Sequence, residues 1–124
     1  MGTYSDLDLF KKAYKLAMDI FAVSKSFPPE EKYSLTDQVR RSSRSVCTNF
    51  GEAYRRRKYP AHFLSKLADS DAENTETEIW LKFSFDCKYI SEPVLKELTA
   101  SCAEVGRLLG YMLNNPDKYL IKEK

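Results

Sequence analysis

The stretch Ser34 to Lys58, SLTDQVRRSSRSVCTNFGEAYRRRK, limits the possible folds more than any other part of the chain. Leu35, Val39, Ser42, Val46, Asn49 or Phe50, and Ala53 recur every three or four residues, which is the period of one helix face and not the alternation of a strand. That face has to be buried. Its middle carries Ser42, Ser43, Ser45 and Cys47, small side chains that let a neighbouring helix approach toward the short end of the usual interaxial range of about 8–10 Å. Asn49 falls on or beside the stripe with Glu52 one turn further on, and a buried amide there needs partners, since leaving one unpaired costs about 1–3 kcal/mol. Asn49 is therefore expected to hydrogen-bond inside a helical bundle.

A chain of 124 residues is long enough to bury one core without disulfides or metal. Hydrophobic content of 43% and charged content of 31% exclude a disordered or collagenous chain. A net charge of +2 is too small to argue for a polyanionic partner, so any such case rests on local clustering. No segment approaches the roughly 20 apolar residues of a membrane span, and the start MGTYSDLDLF lacks the pattern of a signal peptide. A cytoplasmic protein without a membrane partner is the expectation. Cys47, Cys87 and Cys102 are far apart and lack a CxxC spacing, so they read as reduced, small core residues.

In chain order, Ser5 or Asp6 is a capping candidate for a first helix over 6–26, with a stripe through Leu7, Phe10, Ala13 or Tyr14, Ala17, and Ile20 or Phe21. Phe27-Pro28-Pro29 ends it. The second helix covers 34–57. Gly51 lies inside it at a cost of about 1 kcal/mol relative to alanine, and is expected to mark a close helix contact. Pro60 suits the first position of a third helix over 60–89, and Ser91-Glu92-Pro93 opens a fourth over 92–114 carrying Leu95, Leu98, Cys102, Val105, Leu109 and Met112. Short links between four amphipathic helices predict an all-α, up-and-down antiparallel four-helix bundle, one domain spanning 1–124.

The turn near residues 58 and 59 sets helices two and three in register, with Arg41 opposite Glu76, Arg40 near Glu78 and Arg44 near Glu73. This accounts for the acidic run Asp69, Asp71, Glu73, Glu76, Glu78, and groups Arg40, Arg41, Asn49, Glu52, Glu76 and Glu78 as a structural polar network. Such pairs contribute about 0–1 kcal/mol each when exposed and fix register more than they stabilise. The run Arg55, Arg56, Arg57, Lys58 favours the negative end of a helix dipole, and together with Arg44 it is also the candidate nucleic-acid surface. His62 is the one histidine, and the acids do not form Glu-x-x-His pairs, so no metal, cofactor or catalytic group is assigned. Ile79, Trp80, Phe83, Val94 and Leu108 are apolar beyond the stripes, which points to a homo-oligomer.

Asp6-Leu7-Asp8-Leu9-Phe10-Lys11-Lys12-Ala13, Gln38-Val39-Arg40-Arg41-Ser42-Ser43-Arg44-Ser45-Val46 with Asn49 and Glu52, Glu76-Thr77-Glu78-Ile79-Trp80-Leu81 and Gly106-Arg107-Leu108-Leu109 together resemble one family. It is the S23-like family of four-helix bundle proteins, first noticed as reading frames within intervening sequences of bacterial 23S ribosomal RNA genes. The resemblance covers roughly residues 4 to 115. It implies an up-and-down bundle and a homopentamer. The accessory proteins of diversity-generating retroelements are similar, and by that resemblance RNA, DNA or a protein partner such as a nucleic-acid enzyme is implied. Where the family pattern reads Ile-Ala-Glu-Gly after the asparagine, this chain has Phe50-Gly51-Glu52-Ala53. Two functions follow as expectations: a non-enzymatic oligomeric adaptor that binds nucleic acid or a nucleic-acid enzyme, or a structural or regulatory protein-interaction module.

Overall fold

The computed structural model describes residues 2–122. Four helices follow one another up and down: α1 (Asp8–Ser24), α2 (Leu35–Arg55), α3 (Pro60–Asp86) and α4 (Glu92–Asn114). Single 3-10 turns sit at Tyr4–Asp6, Pro29–Glu31 and Pro116–Lys118, and no strand occurs among the described residues. Helix α2 packs between α1 and α3, and α4 closes the square against α3 and α1.

Local chemistry sets the helix ends. Helix α3 opens on Pro60, whose missing N–H would have had no partner there, and α4 opens with Ser91 Oγ accepting from Val94 N at 3.4 Å. At the start of α1 the expected cap is not used: Leu7 holds the capping position without a side-chain bond. The Asp6 carboxylate instead accepts from Thr3 N at 2.9 Å, closing the preceding turn. Helix α1 ends at Ser24 because the amides of Lys25, Ser26 and Phe27 tighten onto carbonyls three residues back. Helix α2 likewise stops at Arg55, where Arg56 N turns to Ala53 O. Helix α3 stops at Asp86, short of Tyr89, because Lys88 takes a left-handed conformation (φ 66°) that reverses the chain. Glu31 then ties the two links at this end together, accepting from Ser34 Oγ at 2.6 Å and Tyr89 Oη at 2.8 Å.

The core falls into two apolar clusters. One gathers Phe50, Phe63, Leu67, Val105 and Leu109; the other gathers Leu16, Ile20, Val39, Leu81 and Leu98. A belt of small polar side chains separates them at mid-bundle: Ser42, Ser43, Ser70, Asn74 and Thr77, all buried. Burying hydroxyls costs free energy unless they are bonded, and these are. Thr77 Oγ1 donates to Ser42 Oγ at 2.8 Å, Ser70 Oγ to the Val46 carbonyl at 2.8 Å, and Asn74 Nδ2 to the Cys102 carbonyl at 2.9 Å.

The packing corrects three expectations. Asn49 is only half-buried and donates to the Ser45 carbonyl of its own helix at 2.9 Å, so the interior amide is that of Asn74. Gly51 is no close helix contact; a Cβ there would meet only the Tyr4 ring, at 3.8 Å. The tight approach is at Gly106, where a Cβ would stand 3.3 Å from Asn74 Nδ2, so α3 and α4 touch through a glycine. Cys47 and Cys102 are buried, but Cys87 is exposed at the end of α3.

Candidate nucleic-acid interface

The arginines of α2 divide between two neighbours. Arg41 turns to α3, where its guanidinium pairs with Glu73 at 3.2 Å and with Glu76. Glu76 also accepts from Trp80 Nε1 at 3.0 Å. Burial pushes the Glu76 carboxyl up, but the Trp80 N–H and Arg41 outweigh it and hold the group below its usual range. Hydrogen bonding to Glu73 in turn raises Arg41. The register of α2 against α3 is therefore the one expected for Arg41.

Arg40 and Arg44 do not follow it. Position 40 lies about 100° from position 41 around the helix, and its side chain reaches α1 instead of Glu78. Arg40 Nε donates to Ser24 Oγ at 2.7 Å, and its guanidinium carbon lies 4.8 Å from the centre of the Phe21 ring. Arg44, one turn on, sits 5.7 Å from the same ring and not beside Glu73. Lys25 Nζ is the third cation there, 4.9 Å from the ring centre. Ring faces attract cations, yet three positive groups around one ring repel each other, and none of the three forms an ion pair among the described residues. Glu78 likewise has no ion pair among them and lies on the α4 side, near Cys102.

An open groove of about 810 Å³ adjoins this cluster between α1 and α2. Phe10, Tyr14 and Met18 form its α1 wall, Tyr4 closes one end, and Arg44, Arg55 and Arg56 stand around the rim. Tyr4 packs edge-on against Phe10 with centroids 4.9 Å apart, and Tyr14 follows at 5.8 Å. Tyr14 and Met18 are half exposed, at 54% and 49%. Cys47 lies at the base, where burial pushes its thiol up to about 11 and keeps it protonated near neutral pH. Glu52, on the rim, pairs with Lys66 of α3 at 3.2 Å. A second depression of about 530 Å³ continues along α2 from Arg44 and Thr48 to Arg40, Lys32 and the exposed Tyr33.

The basic run at the end of α2 is not uniform. Arg57 is turned back on its own helix, with Nε on the Tyr54 carbonyl at 2.8 Å and the guanidinium stacked 3.7 Å from the Tyr54 ring centre. Its own carbonyl accepts from Ile121 N at 3.0 Å, which fastens the C-terminal segment here. Arg55 and Arg56 face the groove, and Lys58 is exposed beyond it. Of the sequence candidates, Arg44, Arg55 and Arg56 come together on one face, whereas Arg57 serves as a helix end and Lys58 stands apart. Phe21 and Lys25 are the cluster members that sequence reasoning missed. The signal was available, since Tyr14, Met18, Phe21 and Lys25 repeat at helical spacing as a second stripe on α1, beside the one that packs the core.

Elements, polar belt and cationic face together define an all-α, up-and-down four-helix bundle with a cationic face between α1 and α2. Residues 5–111 match the family model of the 23S rRNA-intervening sequence protein, and the chain belongs to that family. A crystal structure of a protein of unknown function from the S23 ribosomal protein family of Bacteroides thetaiotaomicron is similar at a TM-score of 0.78 and 26% identity, covering 86% of this chain and 95% of that one. No curated protein matches the chain. No helix among the described residues is long and apolar enough to cross a membrane.

Proposed function

We propose that this protein is a non-enzymatic, oligomeric binding protein of the cytoplasm that holds nucleic acid on the α1–α2 face. One observation carries the reading: Lys25, Arg40 and Arg44 gather around Phe21, and among the described residues no carboxylate pairs with them. An anion relieves that repulsion, and a phosphate chain supplies anions in series along Arg44, Arg55 and Arg56. Oligomerisation rests on α3, where Ile79 and Phe83 are exposed beside half-buried Trp80 and offer a second copy an apolar strip to cover. A closed ring, the homopentamer that the family resemblance implies, repeats the cationic face around an axis and multiplies a charge that is modest in one chain.

Fluorescence anisotropy with labelled RNA at two salt concentrations tests the binding, and light scattering tests the assembly. The logarithm of affinity is expected to fall linearly with that of salt. Changing Lys25, Arg40 and Arg44 to Gln should flatten the slope by about 0.7 for each single-strand phosphate that is no longer neutralised. RNA affinity that is absent, or indifferent to these changes, removes nucleic acid from the face and leaves the protein-interaction reading. A monomeric wild type removes the ring.

A further inference from the structure

The two parts of the α1–α2 face offer different chemistry. Around Phe21 the ring is already occupied by cations, so that part suits phosphate. In the groove toward the start of α1, no cation of the described residues lies over Phe10 or Tyr14, and Tyr14 and Met18 stand half exposed. A volume of about 810 Å³ lies within the roughly 300–1,000 Å³ range of small-ligand pockets. Cations stand at both ends of this apolar wall. Arg44 and Arg55 are eleven residues apart on α2, about 16 Å at the rise of a helix.

From this alternation of cation, aromatic wall and cation we infer that the groove takes unpaired bases of a single strand, with the flanking phosphates on Arg44 and on Arg55 and Arg56. The inference rests on the nucleic-acid reading above and narrows it. A duplex hides its base faces in its own stack and brings only phosphates to such a surface, leaving Tyr14 and Met18 uncovered. A single strand turns a base onto the tyrosine ring, and every base has a face that stacks. The site is therefore selective for strandedness and tolerant of sequence.

Three probes of equal length test this against wild-type protein: oligouridylate, an abasic phosphodiester strand, and an RNA duplex. Oligouridylate should bind at least about fivefold tighter than the abasic strand, given what stacking of one base is worth. Tyr14→Leu should abolish that preference and leave the salt slope unchanged, and Met18→Gln, also at an exposed position, should weaken it independently. Arg55→Gln with Arg56→Gln should weaken all three probes and flatten the slope. Equal affinity for oligouridylate and the abasic strand, or a preference indifferent to both Tyr14→Leu and Met18→Gln, overturns base insertion while the electrostatic reading stands. Binding of none of the probes overturns both.

Discussion

The two flanks of α2 carry arginines from one short stretch of sequence and use them in opposite ways. Toward α3, Arg41 is neutralised by Glu73 and Glu76, and beneath it Ser42, Thr77 and Ser70 close a buried hydroxyl ladder. Toward α1, Arg40 and Arg44 share the Phe21 ring with Lys25 and form no ion pair there among the described residues. The α3 flank has its cation neutralised within the chain. The α1 flank has not, and an exposed cation without an internal partner remains available to an external one. A count of charges along the sequence cannot make this distinction, since Arg40, Arg41 and Arg44 fall within five consecutive residues.

The largest expected difference between the flanks is in tolerance of bulk. Ser42 is fully buried in the seam with α3, so Ser42→Leu should lower unfolding stability by about 1–3 kcal/mol through overpacking. Thr48→Leu adds similar bulk on the exposed groove side and should fall within about 0.5 kcal/mol of wild type. Denaturant midpoints of the two variants, read at constant m-value, check the contrast. A tolerant Ser42 would mean the seam is looser than its hydrogen bonds indicate.

A smaller effect separates the arginines themselves. In a double-mutant cycle, Arg41→Glu with Glu76→Arg should show a coupling of about 0.5–1 kcal/mol, limited by partial exposure of both groups. The corresponding cycle of Arg40 with Glu78 should show none, because Arg40 faces α1. Coupling in the second cycle and not the first would reverse the rotation of α2.

This rotation marks where the sequence stops being legible. Helical period and proline placement located all four helices to within a few residues, and hairpin register put Arg41 opposite Glu76. Register alone says nothing of the neighbour that a side chain chooses. Positions 40 and 44 lie about 100° and about 60° around the helix from position 41, both on the same side of it, and a pairing scheme that runs only along the axis assigns all three to α3. The belt was half visible, since Ser70, Asn74 and Thr77 recur at helical spacing along α3 and interrupt its apolar stripe. The Phe21 cluster joins residues from two helices and has no motif. Only the second stripe on α1 hinted at it.

Next in size is the effect of removing a cation from each flank. Arg44→Gln deletes one of three mutually repelling charges, so stability should stay within about 0.5 kcal/mol of wild type, with any change toward greater stability. Arg41→Gln leaves Glu73 and Glu76 close together without their shared cation and should destabilise. On binding, the order should invert: Arg44→Gln weakens RNA affinity and Arg41→Gln leaves it largely intact. Paired thermal melts and anisotropy titrations check this. A loss of both properties in both variants would erase the distinction between the flanks.

The finest expected difference is in acid. Glu76 is held below the usual carboxylate value of 4.5 because the Trp80 N–H and Arg41 outweigh the opposing effect of burial. A carboxylate depressed in the folded state contributes stability that is present above its unfolded value and is lost as pH falls through the folded one. Acidification below about pH 4.5 should therefore loosen the α3 flank progressively, with Trp80 emission reporting it, since that indole donates to the same carboxylate. On the α1 flank the contacts of the Phe21 cluster are to an aromatic ring and a serine hydroxyl, with no carboxylate ion pair among the described residues, so acid removes no such pair from it. Carboxylate titration by NMR should find Glu76 below the usual value in wild type and moved back toward it by Arg41→Gln, whereas Arg44→Gln should leave it unmoved. A Glu76 that titrates normally in wild type, or follows Arg44 and not Arg41, would show that the charges of the two flanks are not separated as the geometry requires.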